Sequence, residues 1–342
     1  VDPYQGEAAM PKMTKRERLQ AAVAGRPVDR VPVAFWRHWP IADQEPEALV
    51  RATLEYQRRF DWDFCKLTPS HTYCVDDYGA KHAYRGRSVG DRDHFDRVVK
   101  RIEDWDRIQP LDISRGACAR TLDALHLLVQ ERDPATPVLH TLFSPLTMAR
   151  FLADDVYVVH LRRDPERVLR ALAALTETCV AVARAAIAAG ADGIFLSTMT
   201  STYEVLSPEE HRRFAEPGDL AVLRAASGGW LNLLHLHGQQ PMIREIAAYP
   251  VQGLSWHDRT AGPSLAETGR LFPGALVAGI EQFTLLHFGT PAEVAAQAGE
   301  AVAQTGGRRL ILAAGCTYPL TAPECNLMAV RQAAEATAGR SA

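Results

Sequence analysis

The sequence predicts a single closed (β/α)8 barrel, the TIM-barrel architecture, entered through a short helical lead-in. Three observations carry that prediction. Eight short apolar segments of strand length recur along the chain, and helix-period sequence follows each. No G-x-G-x-x-G follows the first of them, which argues against an open dinucleotide-binding sheet. The 342 residues suffice for one large barrel and show no repeat or linker that would divide them.

Val1 to Ala9 have no apolar period. Residues 1–11 are therefore set apart as a disordered lead-in or expression remnant, and the barrel is expected over 12–342. Thr14-Lys-Arg-Glu17 is a capping-box pattern whose helix runs to Ala24 and stops at Gly25. Val31–Trp36 reads as strand one, Glu45–Phe60 as a helix and Trp62–Thr68 as strand two. A loop rich in Tyr, Asp and Gly extends to Asp93; a helix holding Trp105 and another over Ala117–Glu131 follow. Strand three is Pro137–Leu142, with a helix from Pro145. Asp164-Pro-Glu166 opens a long helix that ends at Gly190, and strand four is Gly193–Ser197. Ser207-Pro208 is an N-cap with proline in the first turn. Strands five to eight are Leu231–Leu236, Val251–Trp256, Ala275–Ile280 and Arg309–Ala313. Helices are expected between them over Pro241–Ala248, Ser264–Leu271 and Pro291–Gly306, with a last one over Pro323–Ala338.

Composition excludes several classes. The chain is 47% hydrophobic and 23% charged, as a globular protein with a large core should be. A net charge of −3 without a basic run excludes a nucleic-acid footprint. No apolar stretch is expected to span a bilayer; residues 180–190 come closest, and Arg184 interrupts them. The cysteines at 65, 74, 118, 179, 316 and 325 have no framework spacing, so reduced thiols in a cytoplasmic enzyme are expected.

Active sites of such barrels lie at the C-terminal ends of the strands. Strand one ends in Arg37-His38-Trp39, strand two carries Lys66, and strand five ends in His235-Leu-His237. Strand six ends in Trp256-His257-Asp258, strand seven in Glu281-Gln282, and strand eight leads into Gly315-Cys316. The side-chain period of a strand is 2, so His235 and His237 share one face. Two imidazoles facing a thiol across a barrel mouth suit zinc, and three protein ligands leave a fourth position open, for Glu281 or a substrate atom. His257, Asp258 and Glu281 are the candidate catalytic groups. Arg37, His38, Lys66 and Trp256 are the candidate substrate contacts, with Arg37 suited to an anionic group.

Several motifs together resemble the uroporphyrinogen decarboxylase superfamily. They are Thr14-Lys-Arg-Glu-Arg-Leu, Gly25-Arg-Pro-Val-Asp-Arg-Val-Pro-Val, Gly190-Ala-Asp-Gly, Leu234-His-Leu-His-Gly, and Gly315-Cys-Thr with Pro323-Glu. The resemblance covers residues 12–338 and implies the same barrel and a homodimer. One branch decarboxylates porphyrinogens without metal. Of its catalytic set only the first arginine has a match, at Arg37; Ile41, Phe151, Met199 and Cys316 stand where others fall. The basic groups that a tetracarboxylic substrate would need are also expected to be missing from the mouth. The other branch moves methyl groups between corrinoid proteins and thiols, with zinc on an H-x-C pair and a late cysteine. His235 and Cys316 match that set, and His237 replaces its first cysteine. The resemblance therefore implies a zinc-dependent methyl- or alkyl-group transferase that takes a small-molecule substrate and a separate corrinoid protein. The alternatives are a metal-free decarboxylase or lyase that anchors a small or porphyrinogen-like carboxylate on Arg37, and a barrel that binds without turnover.

Overall fold

Seven strands pair in parallel in chain order around most of a cylinder. The computed structural model describes residues 11–338, so nearly all of the expected lead-in lies outside the described residues. The chain forms β1 (Cys65–Leu67), an antiparallel hairpin of β2 (Lys81–Ala83) and β3 (Asp93–Asp96), then β4 (Val138–Phe143) and β5 (Gly193–Thr198). It continues through β6 (Leu233–Leu236), β7 (Gly253–Trp256), β8 (Ala275–Ile280) and β9 (Leu310–Ala314). The sheet order is β1-β4-β5-β6-β7-β8-β9, with helices outside it. The (β/α)8 reading thus holds.

Strand one of the sequence closes the ring but shrinks to a bridge. Ala34 N donates to Leu312 O at 3.0 Å and Leu312 N to Pro32 O at 2.8 Å, while Asp63 N donates to Val33 O at 2.9 Å. Pro32 has no N–H to give, and the Val33 N–H is taken by the Asp63 carboxylate at 2.8 Å. A regular ladder cannot form on those terms.

The helix signals held. Thr14 and Glu17 make the expected capping box, Gly25 turns out of that helix at φ 67°, and Ser207 and Glu210 make a second box. Three expectations change. The loop after the second predicted strand holds a short helix, Tyr73–Asp76, and the β2–β3 hairpin; Trp105 sits on a 3-10 turn; and Pro241–Ala248 contracts to Ile243–Ile246. The Pro165–Ala188 helix is long and apolar enough, by length and composition, to cross a membrane. It packs instead along β4, β5 and neighbouring helices through Val168, Leu172, Leu175, Cys179 and Val182.

Buried charge at the N-terminal end of the barrel is fully paired. Asp63 takes Arg18 and Arg30, each at 2.7 Å, besides the Val33 N–H. Asp192 takes Arg16 at 2.6 Å, Arg132, Trp230 Nε1 at 2.9 Å and Val138 N at 2.9 Å. The helices and loops are fastened to the strand entrances in this way.

Candidate metal centre

The register of β6 places His235 beside Ser197 of β5 and Ser255 of β7. Alternation along the strand turns Leu234 and Leu236 away from that face, into the packed layer. Ser255 Oγ lies 3.1 Å from His235 Nδ1, and the Phe195 ring stacks on the imidazole at 5.7 Å. The other ring nitrogen, Nε2, is buried and has no well-formed hydrogen bond. His237 follows at the strand end, with its N–H on Thr198 O at 2.9 Å. The same alternation brings His257, two residues after Ser255, to the inside. Its Nε2 lies 3.3 Å from His237 Nδ1, and its Nδ1 lies 2.9 Å from the Gln282 amide nitrogen.

Glycine at 315 permits the last approach. A Cβ there would fall 2.9 Å from His257 Cα and 3.1 Å from Gln282 Oε1, so any larger residue would push the end of β9 away. With Gly315 in place, Cys316 Sγ comes to 3.8 Å from His237 Nδ1. One donor atom each from His235, His237, His257 and Cys316 then lie within 4.8 Å of one another. Burial alone would push the Cys316 thiol up, but His235, with His237 and His257, outweighs it and holds the thiol well below its ordinary value. Burial lowers the His235 pKa, against an opposing pull from Cys316. A cysteine sulfur among three imidazoles is a donor set suited to zinc, and the orphaned His235 Nε2 supplies a fitting site.

His235, His237 and Cys316 of this cluster line a cavity of about 510 Å³. Lys66, Trp36 and His38 also line it. Lys66 Nζ sits 4.6 Å from the Phe195 ring centroid and 3.3 Å from Thr68 Oγ1. Burial pushes the amine down to about 7, against an opposing pull from Cys316. His38 falls to about 4 through burial and then the Lys66 charge.

Alternation also sorts the remaining candidates. Trp36 and His38 face in, so Arg37 faces out: it lies over Trp39, 4.9 Å from the ring centroid, and does not line the cavity. Trp256, between Ser255 and His257, is fully buried outside the cavity and donates to Pro263 O at 2.8 Å. The Asp258 carboxylate accepts from Gly279 N at 3.1 Å and pairs with Arg259 at 3.2 Å. Glu281 caps the following turn, accepting from Phe283 N at 2.7 Å, Thr284 N at 2.8 Å, Leu285 N at 2.7 Å and the Thr284 hydroxyl. Both carboxylates are thus committed away from the donor cluster, and His257 stands where Glu281 was expected.

Basic groups at the mouth, expected to be missing, are present. Arg87, Arg92, Arg97 and Arg150 line the cavity. Three of them come from the loop and hairpin after β1, a region that an inventory of strand ends passes over. Ser255 was missed as well. The period-2 pattern Gly253, Ser255, His257 on one face was the signal that could have found it.

The fold and this cluster place a candidate metal centre at the C-terminal mouth of a barrel. The uroporphyrinogen decarboxylase (URO-D) family profile matches residues 14–337, and the chain belongs to that family. It is 22% identical, across 95% of its length and 99% of the relative's, to "Methylcobamide:CoM methyltransferase MtbA" of Methanosarcina mazei. It is 24% identical to the corresponding MtaA of Methanosarcina barkeri, over 94% of this chain and 97% of that one. A uroporphyrinogen decarboxylase of Mycobacterium ulcerans is 28% identical over 76% of this chain and 81% of its own length. A solved methyltransferase from Methanosarcina mazei shares the fold, with a TM-score of 0.83 at 23% identity over 95% and 99% of the two chains. The chain is a methyltransferase-like enzyme of the uroporphyrinogen decarboxylase superfamily.

Proposed function

We propose that the chain transfers a methyl or other alkyl group between a separate corrinoid protein and a small molecule bound in the cavity. The observation that carries this reading is the convergence of His235, His237, His257 and Cys316 donor atoms, three of these residues lining the cavity. These residues would hold zinc, which when bound supplies a Lewis acid that lowers the pKa of a thiol or water. His257 joins the three ligands that the sequence suggests.

The surrounding residues orient this set. Ser255 fixes the ring of His235 through Nδ1, leaving Nε2 for the floor, and the Gln282 side-chain amide holds the ring of His257 at Nδ1. Phe195 and Trp36 exclude water beside the reacting centre, and Lys66 offers positive charge to an anionic substrate. In the transfer, the acceptor thiol or hydroxyl would give up its proton to solvent and its sulfur or oxygen lone pair would form the new bond to carbon. The electron pair of the cobalt–carbon bond stays on the corrinoid cobalt, which falls from Co(III) to Co(I).

The lyase reading relied on Arg37 to hold a carboxylate, and that side chain lies outside the cavity. Methylcobalamin with a panel of small thiols tests the transferase reading by the absorbance change on demethylation. We expect turnover by the wild type and a loss of at least about a hundredfold in Cys316→Ser and His237→Ala. Equal rates in the variants would overturn it.

A further inference from the structure

One wall of the cavity is built of rings. His71 lies 5.6 Å from Phe151 and 5.5 Å from His94, His94 lies 5.7 Å from Phe151, and Phe143 lies 5.2 Å from Phe151, centroid to centroid. All four line the same cavity as the donor cluster. Both ring nitrogens of His94 are buried without a hydrogen-bond partner. Offset and edge-on ring contacts of this kind offer a flat, weakly polar surface to another ring.

Charge is distributed unevenly over that cavity. Arg92 is paired with Asp43 at 2.6 Å, Arg97 with Asp154 at 3.3 Å, and Arg87 with Asp91 and Asp93 at 2.8 and 3.0 Å. Arg150 donates to Met199 O at 3.1 Å and reaches Asp155 at 3.8 Å. Lys66, almost fully buried, has no carboxylate within ion-pair distance among the described residues. One cation at the floor without a carboxylate partner suits one acidic group. A polyanion would have to displace the acids already seated on the arginines, and a cationic ligand would meet Lys66 with no carboxylate to offset it.

We propose that the small molecule handled in this cavity is an aromatic or heteroaromatic acid, with its ring against Phe151 and His94 and its acidic group on Lys66. The inference deepens the transferase reading by naming a substrate class for the same cavity. A volume of about 510 Å³ fits a ring-bearing ligand.

Titration with 2-naphthoate, 2-naphthamide and octanoate, followed by calorimetry, separates ring from charge. We expect 2-naphthoate to bind at least about tenfold tighter than either other probe. Lys66→Met should remove its advantage over the amide, and Phe151→Leu should weaken 2-naphthoate while leaving octanoate unchanged. Equal binding of octanoate and 2-naphthoate, an unchanged Lys66→Met, or no saturable binding by any probe would overturn the proposal. Zinc content and demethylation of methylcobalamin, measured on the same preparations, keep the two readings apart. Selective binding without transfer sinks only the transferase reading, and transfer without selective binding sinks only this one.

Discussion

The two ends of the barrel bury polar groups on opposite terms. At the N-terminal end, Asp63 and Asp192 are saturated by guanidinium and backbone donors. At the C-terminal end, His235 Nε2 and both nitrogens of His94 are buried without partners, and Lys66 lacks a carboxylate. Desolvating such groups costs free energy unless something pairs with them. The paired end holds the fold together, whereas the unpaired end is shaped for what enters it.

The comparison breaks most visibly at Asp63. Asp63→Ala would take the shared buried carboxylate from Arg18 and Arg30, leaving them Asp29 and Glu335, and would free the Val33 N–H; loss of one partner from a buried pair costs about 3–5 kcal/mol. Chemical denaturation should show that loss; a change below about 1 kcal/mol would mean these pairs do not fasten the base.

Lys66 should behave in the opposite way. Burial lowers its pKa from 10.5 to about 7, so the folded chain binds fewer protons than the unfolded chain between those values. Stability contributed by this site is therefore lowest below about pH 7 and recovers as pH rises toward 10.5. Its surroundings are His38, His140, Cys316, Thr68, Trp36 and Phe195. Lys66→Met should stabilise the protein by roughly 2–4 kcal/mol at pH 6, with the gain fading by pH 10, while ligand affinity falls. A destabilised Lys66→Met across that range would contradict the contrast between the ends.

The smallest effect is expected at Ser255. Ser255→Ala frees the ring of His235 and should weaken metal affinity by about tenfold to a hundredfold, the usual cost of losing such a support. Competition with a chromogenic chelator measures it, and unchanged affinity would show that Phe195 alone holds the ring.

The barrel was legible because strands that are buried on both faces read as short apolar runs, and caps such as Thr14 and Ser207 mark helix starts locally. His235, His237 and Cys316 were legible because strand ends in this fold converge. What the sequence obscured was facing. Arg37 and Trp256 neighbour inward residues and therefore point outward, a parity that needs a fixed register. Glu281 resembles a catalytic acid in sequence, yet its carboxylate is consumed by the N–H groups of the next three residues. The ring wall was hidden because His71, His94 and Phe151 come from three separate segments, with nothing in their spacing to join them.

Metal content of the purified protein tests the central claim most directly. We expect close to one zinc per chain in the wild type, and its loss in His235→Ala and in Cys316→Ser with the fold retained by circular dichroism. A wild type fully active without metal, or variants that keep stoichiometric zinc, would contradict the account.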